Sequence, residues 1–288
     1  MAERKDTDAR YSTGQDPVGN DNNRALENKF GIDPRSLSAD LVMALRFYSR
    51  LPTGASPHET PVLDRMAPVL PLASVLIGLA PVIVMAVGIF LGLPALLSAC
   101  LGVGAQVAAT GAMAEDASAD SADGLWGGSD VEKRLTIMKD PRHGTYGVLA
   151  LVLLIAIRLS ALSALMLWSG LGAALLWLAA QMVARQGALW LVLALPPARS
   201  DGLAQAAGTL SPVSFAAGGA IAGLLFFVFS GALIGVAGMT LTLIALGLTV
   251  WGWSRLCRSR VGGFTGDLIG ALQALLEIAA LSSFILFI

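Results

Sequence analysis

Seven long apolar stretches fill most of the chain after residue 65, and they limit its possible folds more than any other feature. An α-helix needs about 20 apolar residues to cross a bilayer, and most of these stretches reach that length. Only 14% of the residues are charged, against about 25% in soluble domains. The sequence therefore predicts an all-α, polytopic integral membrane protein with about seven transmembrane helices. The stretches cover approximately residues 66–93, 95–114, 146–168, 171–195, 213–233, 234–251 and 268–288.

The connections between these stretches are of two kinds. Three are short and uncharged, and three are longer and polar, at residues 115–144, 196–212 and 254–267. All 19 Lys and Arg residues lie in the N-terminal region, in the polar connections, or inside a stretch. Because basic loops remain in the cytoplasm, we expect the N-terminus and the polar loops on the cytoplasmic side and the C-terminus across the membrane. Two stretches could instead be re-entrant, with the polar loops still cytoplasmic.

The region before the first apolar stretch has two parts. Residues 1–36 have too little apolar surface to pack, which predicts a disordered cytoplasmic tail. Residues 38–50 place apolar side chains on one helical face and two arginines on another edge. This pattern predicts an interfacial helix on the membrane surface, and an ordinary buried helix is the alternative. The membrane domain is expected to comprise residues 37–288.

A polar island at residues 115–147 interrupts the apolar pattern with the sequence EDASADSADGLWGGSDVEKRLTIMKDPRHGTYG. The spacing of Asp116, Asp120 and Asp123 would place three carboxylates on one face of a helix. Such charges repel each other, and desolvation at a membrane edge adds to the cost. A divalent cation removes both penalties, and carboxylates without Cys or His ligands favour Mg2+. The island is predicted to be an acidic cytoplasmic loop that forms a metal-dependent active site; a solvated loop that only sets topology is the alternative.

Three charged residues lie inside the apolar stretches: Arg158, Arg185 and Glu277. Each arginine costs about 2.5–3.5 kcal/mol at the centre of a membrane helix, so each needs a protein interior or an aqueous cavity. Because a guanidinium matches phosphate oxygens, Arg158 and Arg185 are candidates to bind a phosphorylated substrate. A structural ion pair, or snorkelling to the interface, is the alternative.

The last polar connection contains the glycine-rich sequence GGFTGD at residues 262–267. Glycines let a backbone approach a ligand closely, and successive amides can form an anion nest, so Gly263 and Thr265 are candidate substrate contacts. Asp267 is a candidate metal ligand, with a plain helix cap as the alternative.

Other functional classes are not indicated by the sequence. No basic patch with interleaved aromatic residues suggests nucleic-acid binding, and no Walker A motif, GxGxxG fingerprint or Ser/His/Asp triad occurs. Cys100 and Cys257 lie far apart and suggest neither a disulfide framework nor a zinc site. His143 is a candidate base, although a single loop histidine is more often only solvated.

Four segments, in order along the chain, resemble the cobalamin synthase family, also called adenosylcobinamide-GDP ribazoletransferase. Residues 114–147 are similar to the family pattern HxDGxADTxDG followed by ERRLxIMKDSRxGTYG. RFYSRLP at residues 46–52, ARSDGL at 198–203 and GGFTGDLIGA at 262–271 resemble three further family motifs.

The chain departs from the first of these patterns at several positions. Ala114 replaces the family histidine, Ala117 replaces its first glycine, and Ser121 replaces a threonine. No role of the family histidine can be carried over to this chain, and Glu115 is the candidate to compensate for it.

The resemblance implies the last assembly step of the cobamide nucleotide loop in the bacterial inner membrane. Adenosylcobinamide-GDP would react with α-ribazole or its 5′-phosphate and release GMP, with Mg2+ as cofactor and the active site facing the cytoplasm. It leaves open an oligomer and contacts with other cobalamin-assembly enzymes. The expected catalytic residues are Glu115, Asp116, Asp120 and Asp123. The expected metal ligands are Asp116, Asp120, Asp123, Asp140 and Asp267. The expected substrate-binding residues are Arg134, Lys139, Arg142, Arg158, Arg185, Arg199, Gly263 and Thr265.

Two other functions compete with this interpretation. CDP-alcohol phosphotransferases carry DxxDGxxAR, and residues 120–124 match its opening, but no Ala-Arg follows. A transporter that uses the island as a gate is a non-enzymatic alternative, although the internal repeats common in transporters are not evident.

Overall fold

The computed structural model describes residues 34–54, 59–199 and 208–288. The predicted disordered tail lies outside this part of the chain, except that residues 34–36 already belong to a helix. Regular structure in the described residues is helical, apart from one isolated parallel bridge between Pro197 and Phe264. The all-α prediction is therefore confirmed, and residues 39–288 form one compact unit.

The helices are numbered here in chain order. They are α1 (Pro34–Tyr48), α2 (Leu63–Met66), α3 (Leu70–Phe90), α4 (Ala95–Thr110), α5 (Met113–Gly127), α6 (Val131–Ile137), α7 (Thr145–Trp168), α8 (Gly170–Ala188), α9 (Trp190–Ala194), α10 (Pro212–Val261) and α11 (Gly266–Phe284). A 3-10 turn, Ile285–Phe287, follows α11.

Five segments of the described chain are long and apolar enough to cross a membrane, and a sixth is counted if the bent pair α4–α5 is one span. The five are Leu70–Phe90, Thr145–Trp168, Gly170–Ala194, Pro212–Val261 and Gly266–Phe287. The protein is thus a membrane protein of several apolar helices.

Helix α10 is two antiparallel helices rather than one rod. A straight helix of 50 residues would be about 75 Å long, yet Trp190 lies near both of its halves. The Trp190 ring lies 6.0 Å from that of Phe215, and the same tryptophan lines a cavity with Trp251. The reversal occurs at Gly235, whose φ of 63° and ψ of −177° interrupt the helix. With both halves of α10 and with α4 counted, seven apolar segments are present; that each crosses a bilayer remains a prediction.

The centre of the bundle is α8, the most buried of the candidate spans. It packs against α3, α7, α10 and α11, and Trp177 at its middle is completely buried. Glycines at the crossings allow close packing: a Cβ on Gly102 of α4 would meet Met85 and Trp177. This tight interior fixes how the ends of α5, α8 and α11 are arranged.

The island differs from the predicted loop, because α5 and α6 occupy most of it. Helix α5 leaves α4 at an angle of 86°, through a corner where Gly111 and Ala112 both adopt positive φ. The Arg50 amide, just after α1, donates to the Ala109 carbonyl at this corner over 2.7 Å. Helix α5 then packs on α7 and α11, and this packing gives the acidic segment a fixed helical geometry.

Helix α1 is closer to the buried alternative than to the interfacial one. Met43, Ala44 and Tyr48 are buried in a cluster with Leu70 and Leu189. The Asp40 carboxylate also pairs with Arg65 at 2.6 Å.

Candidate active site

A cavity of about 390 Å³ opens where the island meets the last two polar connections. Phe47 and Tyr48 contribute from the end of α1, and Asp116 contributes from α5. Arg199 comes from the second polar connection, and residues 264–267 come from the third. Segments that lie far apart in the sequence are therefore gathered around one space.

The start of α11 holds Asp267 at the wall of this cavity. The Thr265 hydroxyl oxygen accepts the Leu268 amide at 3.2 Å as the helix cap. The same hydroxyl lies 3.3 Å from an Asp267 carboxylate oxygen, to which it donates. Arg199 donates to that oxygen, also at 3.3 Å. Thr265 thus caps α11 and supports Asp267, and it also lines the cavity; its predicted substrate contact stays a prediction.

Gly263 lies where two polar connections pair. The Ala198 amide donates to the Phe264 carbonyl over 2.8 Å, and the Phe264 amide donates to the Pro196 carbonyl over 2.9 Å. A Cβ on Gly263 would collide with the Pro196 carbonyl. The glycine lets these backbones pair, which brings Arg199 to Asp267; a substrate contact at Gly263 stays a prediction.

Asp116 and Asp120 occupy one side of α5, close to Asp267. Asp116 lines the cavity, while Asp120 lies outside its lining. Burial, and next the charges of Asp116 and Asp267, raise the pKa of Asp120 to about 6. His143 Nδ1 lies 3.9 Å from the Asp120 carboxylate. The predicted like-charge stripe is thus present, and Asp267 extends it from α5 to α11.

Asp123 serves as the anchor of α7. One of its carboxylate oxygens accepts the Gly144 amide at 2.6 Å, and the other accepts the Gly147 amide at 2.9 Å. A Cβ on either glycine would strike this carboxylate. Asp123 thereby accepts hydrogen bonds from backbone amides at the start of α7 that lack partners within the helix. Both oxygens are engaged in this way, which gives Asp123 a structural role; its predicted catalytic and metal-binding roles stay predictions.

Glu115 points into the bundle, away from the cavity lining. Its carboxylate accepts Arg158 at 2.7 Å, and Arg158 also donates to Glu277 at 3.1 Å. Glu277 accepts Trp177 at 2.9 Å and Gln106 at 3.3 Å as well. Arg158 and Glu277 are fully buried. For Arg158 the structural ion-pair alternative therefore describes the geometry. Glu115 is engaged with Arg158, and its catalytic role stays a prediction.

Arg185 does not form the structural ion pair of the alternative among the described residues, and its role in binding a phosphorylated substrate stays a prediction. It is 1% exposed and absent from the cavity lining. Within the described residues its three guanidinium nitrogens have no hydrogen-bond partner. It is therefore a buried cation close to the Glu115–Arg158–Glu277 network but not bonded to it.

The remaining predicted residues of the island lie at its outer edge. Arg134 donates to the Arg260 carbonyl at 3.0 Å, which fastens α6 to the end of α10. Asp140 and Arg142 form a solvent-exposed ion pair at 2.7 Å, and these hydrogen bonds lower the pKa of Asp140 to about 2. Lys139 is exposed. Arg134 is thus used within the protein, and Lys139 and Arg142 lie on the exposed surface.

The predicted metal site is only partly assembled. Among the described residues, no group of three or more His, Cys, Asp or Glu side chains is arranged to hold a metal ion. The donor chemistry nevertheless fits a hard cation: Asp116, Asp120 and Asp267 are near each other, and burial, followed by the charges of Asp116 and Asp267, raises the pKa of Asp120. The Mg2+ site remains a prediction, with these three carboxylates as its best-placed ligands.

The apolar lining of the cavity was not predicted. Leu63, Leu189 and Ile269 face it together with Phe47 and Phe264. The two phenylalanines belong to the short motifs RFYSRLP and GGFTGD. These motifs could have identified the two residues as candidate lining residues. The leucines carry no such signal, because their spacing is that of any buried helix.

Comparison with known proteins decides the family. The sequence profile of cobalamin-5-phosphate synthase matches residues 40–285. This chain belongs to that family. An adenosylcobinamide-GDP ribazoletransferase of Azorhizobium caulinodans is 41% identical over 259 residues, which are 86% of this chain and 96% of the relative. The enzyme of the same name from Xanthobacter autotrophicus is 41% identical over 257 residues, 87% of this chain and 97% of the relative. No solved structure matches the chain.

Family membership makes the protein a membrane transferase of cobalamin biosynthesis. The position of the family histidine is Ala114 here, and its side chain is buried in a cluster with Leu154 and Ala274. This position faces packed helices in this chain and contributes nothing to the cavity lining.

Proposed function

We propose that the protein is an adenosylcobinamide-GDP ribazoletransferase that works at the cytoplasmic face of the bacterial inner membrane. The observation that carries this proposal is the convergence at the cavity: each of the four motif segments contributes to one 390 Å³ space. Arg199 and Asp267 from two separate segments are also hydrogen-bonded to each other. The names of the relatives supply the reaction, and the cavity supplies a place where acceptor and carboxylates meet.

The chemistry is substitution at phosphorus. A ribose hydroxyl of α-ribazole, or of its 5′-phosphate, attacks the phosphorus attached to the cobinamide arm. The bond from this phosphorus to the bridging oxygen breaks, GMP leaves with that oxygen, and the hydroxyl proton is released. A bound Mg2+ would neutralise charge on the phosphate oxygens, and Asp116, Asp120 and Asp267 would hold it.

The chain's own residues divide the remaining work. Asp116 and Asp267 line the cavity and are placed to orient the attacking hydroxyl and accept its proton. Arg199 holds Asp267 in place and puts a positive charge beside the reacting phosphate. Lys139 and Arg142 stand on the exposed edge, where the guanosine pyrophosphate of the donor can reach them.

A direct assay tests the proposal. Purified protein is incubated with Mg2+, adenosylcobinamide-GDP and α-ribazole 5′-phosphate, and GMP is measured. We expect GMP release that needs both substrates and that stops with EDTA. CMP release from a CDP-alcohol, or vesicle transport without nucleotide turnover, would instead support one of the alternative functions.

A further inference from the structure

The cavity lining combines two chemically different sets of side chains. The polar set comprises the carboxylates of Asp116 and Asp267, the Arg199 guanidinium and the Thr265 hydroxyl. The other set is apolar and partly aromatic: Phe47, Tyr48, Leu63, Leu189, Phe264 and Ile269. A ligand that matches both sets needs a flat apolar part joined directly to a part rich in hydroxyl or phosphate groups.

Size excludes one of the two proposed substrates from this space. Pockets for small ligands measure about 300–1,000 Å³, and this cavity is near the lower limit at about 390 Å³. A nucleoside or nucleotide fits such a volume. A corrin macrocycle with its side chains and a guanosine diphosphate does not.

On these grounds we infer that the cavity is the acceptor site, which encloses the α-ribazole unit, while the corrinoid donor remains outside its mouth. This inference rests on the proposed function and adds a location for each substrate. The aromatic base lies among the apolar side chains, and the ribose reaches the carboxylates of Asp116 and Asp267.

The arrangement of the acidic stripe supports this division. Asp116 lines the cavity, whereas Asp120, one helical turn further along α5, does not. The carboxylate cluster therefore extends from inside the cavity to outside it. A hydroxyl held inside the cavity and a phosphate held outside it would both lie beside this cluster.

The side chains that line the cavity also predict its specificity. Among the described lining residues, the apolar and aromatic side chains would be the neighbours of the base, and Gln273 is the one side-chain amide. Apolar pockets discriminate weakly between rings that differ by one methyl group, by about 1–3 kcal/mol. We therefore expect selection by the size and shape of the lower-ligand base.

Cysteine protection tests the location without relying on turnover. Ile269→Cys is made in a Cys100→Ser background, since Cys100 is exposed and Cys257 is buried. We expect α-ribazole 5′-phosphate alone to slow alkylation of this cysteine at least ~10-fold. A tenfold change corresponds to a free-energy difference of about 1.4 kcal/mol. Ser259→Cys, an exposed position outside the cavity lining, is the matched control and should be alkylated at an unchanged rate.

Steady-state kinetics of a variant with a larger side chain in the cavity lining give the second measurement. Ile269→Trp should raise the KM for α-ribazole 5′-phosphate at least ~10-fold and leave the KM for adenosylcobinamide-GDP unchanged. GMP release with no protection of Ile269→Cys by the acceptor would overturn the acceptor site and leave the proposed function intact. A rise in the KM for the corrinoid alone would do the same. Absence of GMP release in the unmodified protein would reject the proposed function itself.

Discussion

Two arginines of the membrane helices show how the same residue type can have different partners at similar burial. Arg158 bonds two carboxylates, at 2.7 and 3.1 Å. Arg185 is equally buried, but within the described residues none of its nitrogens has a hydrogen-bond partner. Substitution of each residue by methionine therefore removes different interactions.

The first prediction compares these two substitutions. Arg158→Met leaves Glu115 and Glu277 buried without their partner, and breaking a buried pair in this way costs about 3–5 kcal/mol. Arg185→Met removes no hydrogen bond, so its loss of stability should be much smaller. Thermal unfolding of both variants in one detergent measures the difference. Equal losses, or a larger loss for Arg185→Met, would contradict the ion-pair interpretation of Arg158.

The second prediction separates two aspartates of the stripe. Asp120→Asn keeps the shape but removes a charge from the carboxylate cluster, so kcat should fall at least ~100-fold while folding is retained. Asp123→Asn leaves one carbonyl oxygen to accept the two amides of Gly144 and Gly147. An unsatisfied buried group costs about 1–3 kcal/mol, so this variant should lose stability as well as activity.

Activity assays paired with thermal unfolding of the two aspartate variants provide the test. An Asp120→Asn protein with near-full, Mg2+-dependent activity would remove Asp120 from the metal site. An Asp123→Asn protein with unchanged stability would show that the bonds to the start of α7 contribute little.

At the scale of elements, the packing of α7 against α5 depends on a missing side chain. The third prediction is that Gly147→Ala destabilises the protein and lowers activity, because the new Cβ would strike the Asp123 carboxylate and approach the Ala119 carbonyl at 3.0 Å. Gly223→Ala is the matched control: this residue is also helical, and nothing lies within 4 Å of its added Cβ. Alanine is favoured over glycine inside a helix by about 0.5–1 kcal/mol, so the control should hold or gain stability. Similar changes in thermal unfolding for both variants would contradict the contact.

The sequence predicted elements better than it predicted their contacts. Apolar length located the membrane helices, and the uncharged glycine-rich connection near residues 231–238 marked the reversal found at Gly235. The spacing of the acidic residues predicted that their carboxylates share one face if the segment is a helix, and this prediction was correct. That it is a helix, and not a loop, follows from packing on α7 and α11, which local sequence does not report.

The site was predictable only where a residue type implies its chemistry. Asp116, Asp120 and Asp267 were selected as carboxylates and do lie near each other. The roles of Asp123 and Gly263 were not predictable from local sequence. Asp123 accepts a backbone amide more than 20 residues away, and Gly263 packs against backbone more than 60 residues away. Glycine signals close approach, but the sequence does not state whether the partner is a ligand or protein.

At the scale of the whole molecule, contacts gather the polar connections at one end of the bundle. Arg134 of the island bonds the Arg260 carbonyl, Arg258 bonds the Ala194 carbonyl, and Arg199 bonds Asp267. The chain end lies elsewhere: Phe287 packs beside Gly238, near the reversal of α10. These basic residues thus lie at the end that carries the cavity, and the positive-inside rule predicts that this end is cytoplasmic.

The fourth prediction follows from this polarity. A reporter inserted after Pro17 and one inserted between residues 200 and 207 should both give a cytoplasmic signal, and one fused after Ile288 should report the opposite side. The expectation rests on seven crossings: an odd number places the two termini on opposite sides, and the folded-back α10 contributes two of the seven. Fusions to alkaline phosphatase and to green fluorescent protein at the same three positions measure it, because each reporter is active on only one side. A cytoplasmic signal after Ile288 would rule out seven crossings, because both termini would then lie on the same side. Cytoplasmic signals at the other two positions would still place the active site on the cytoplasmic face.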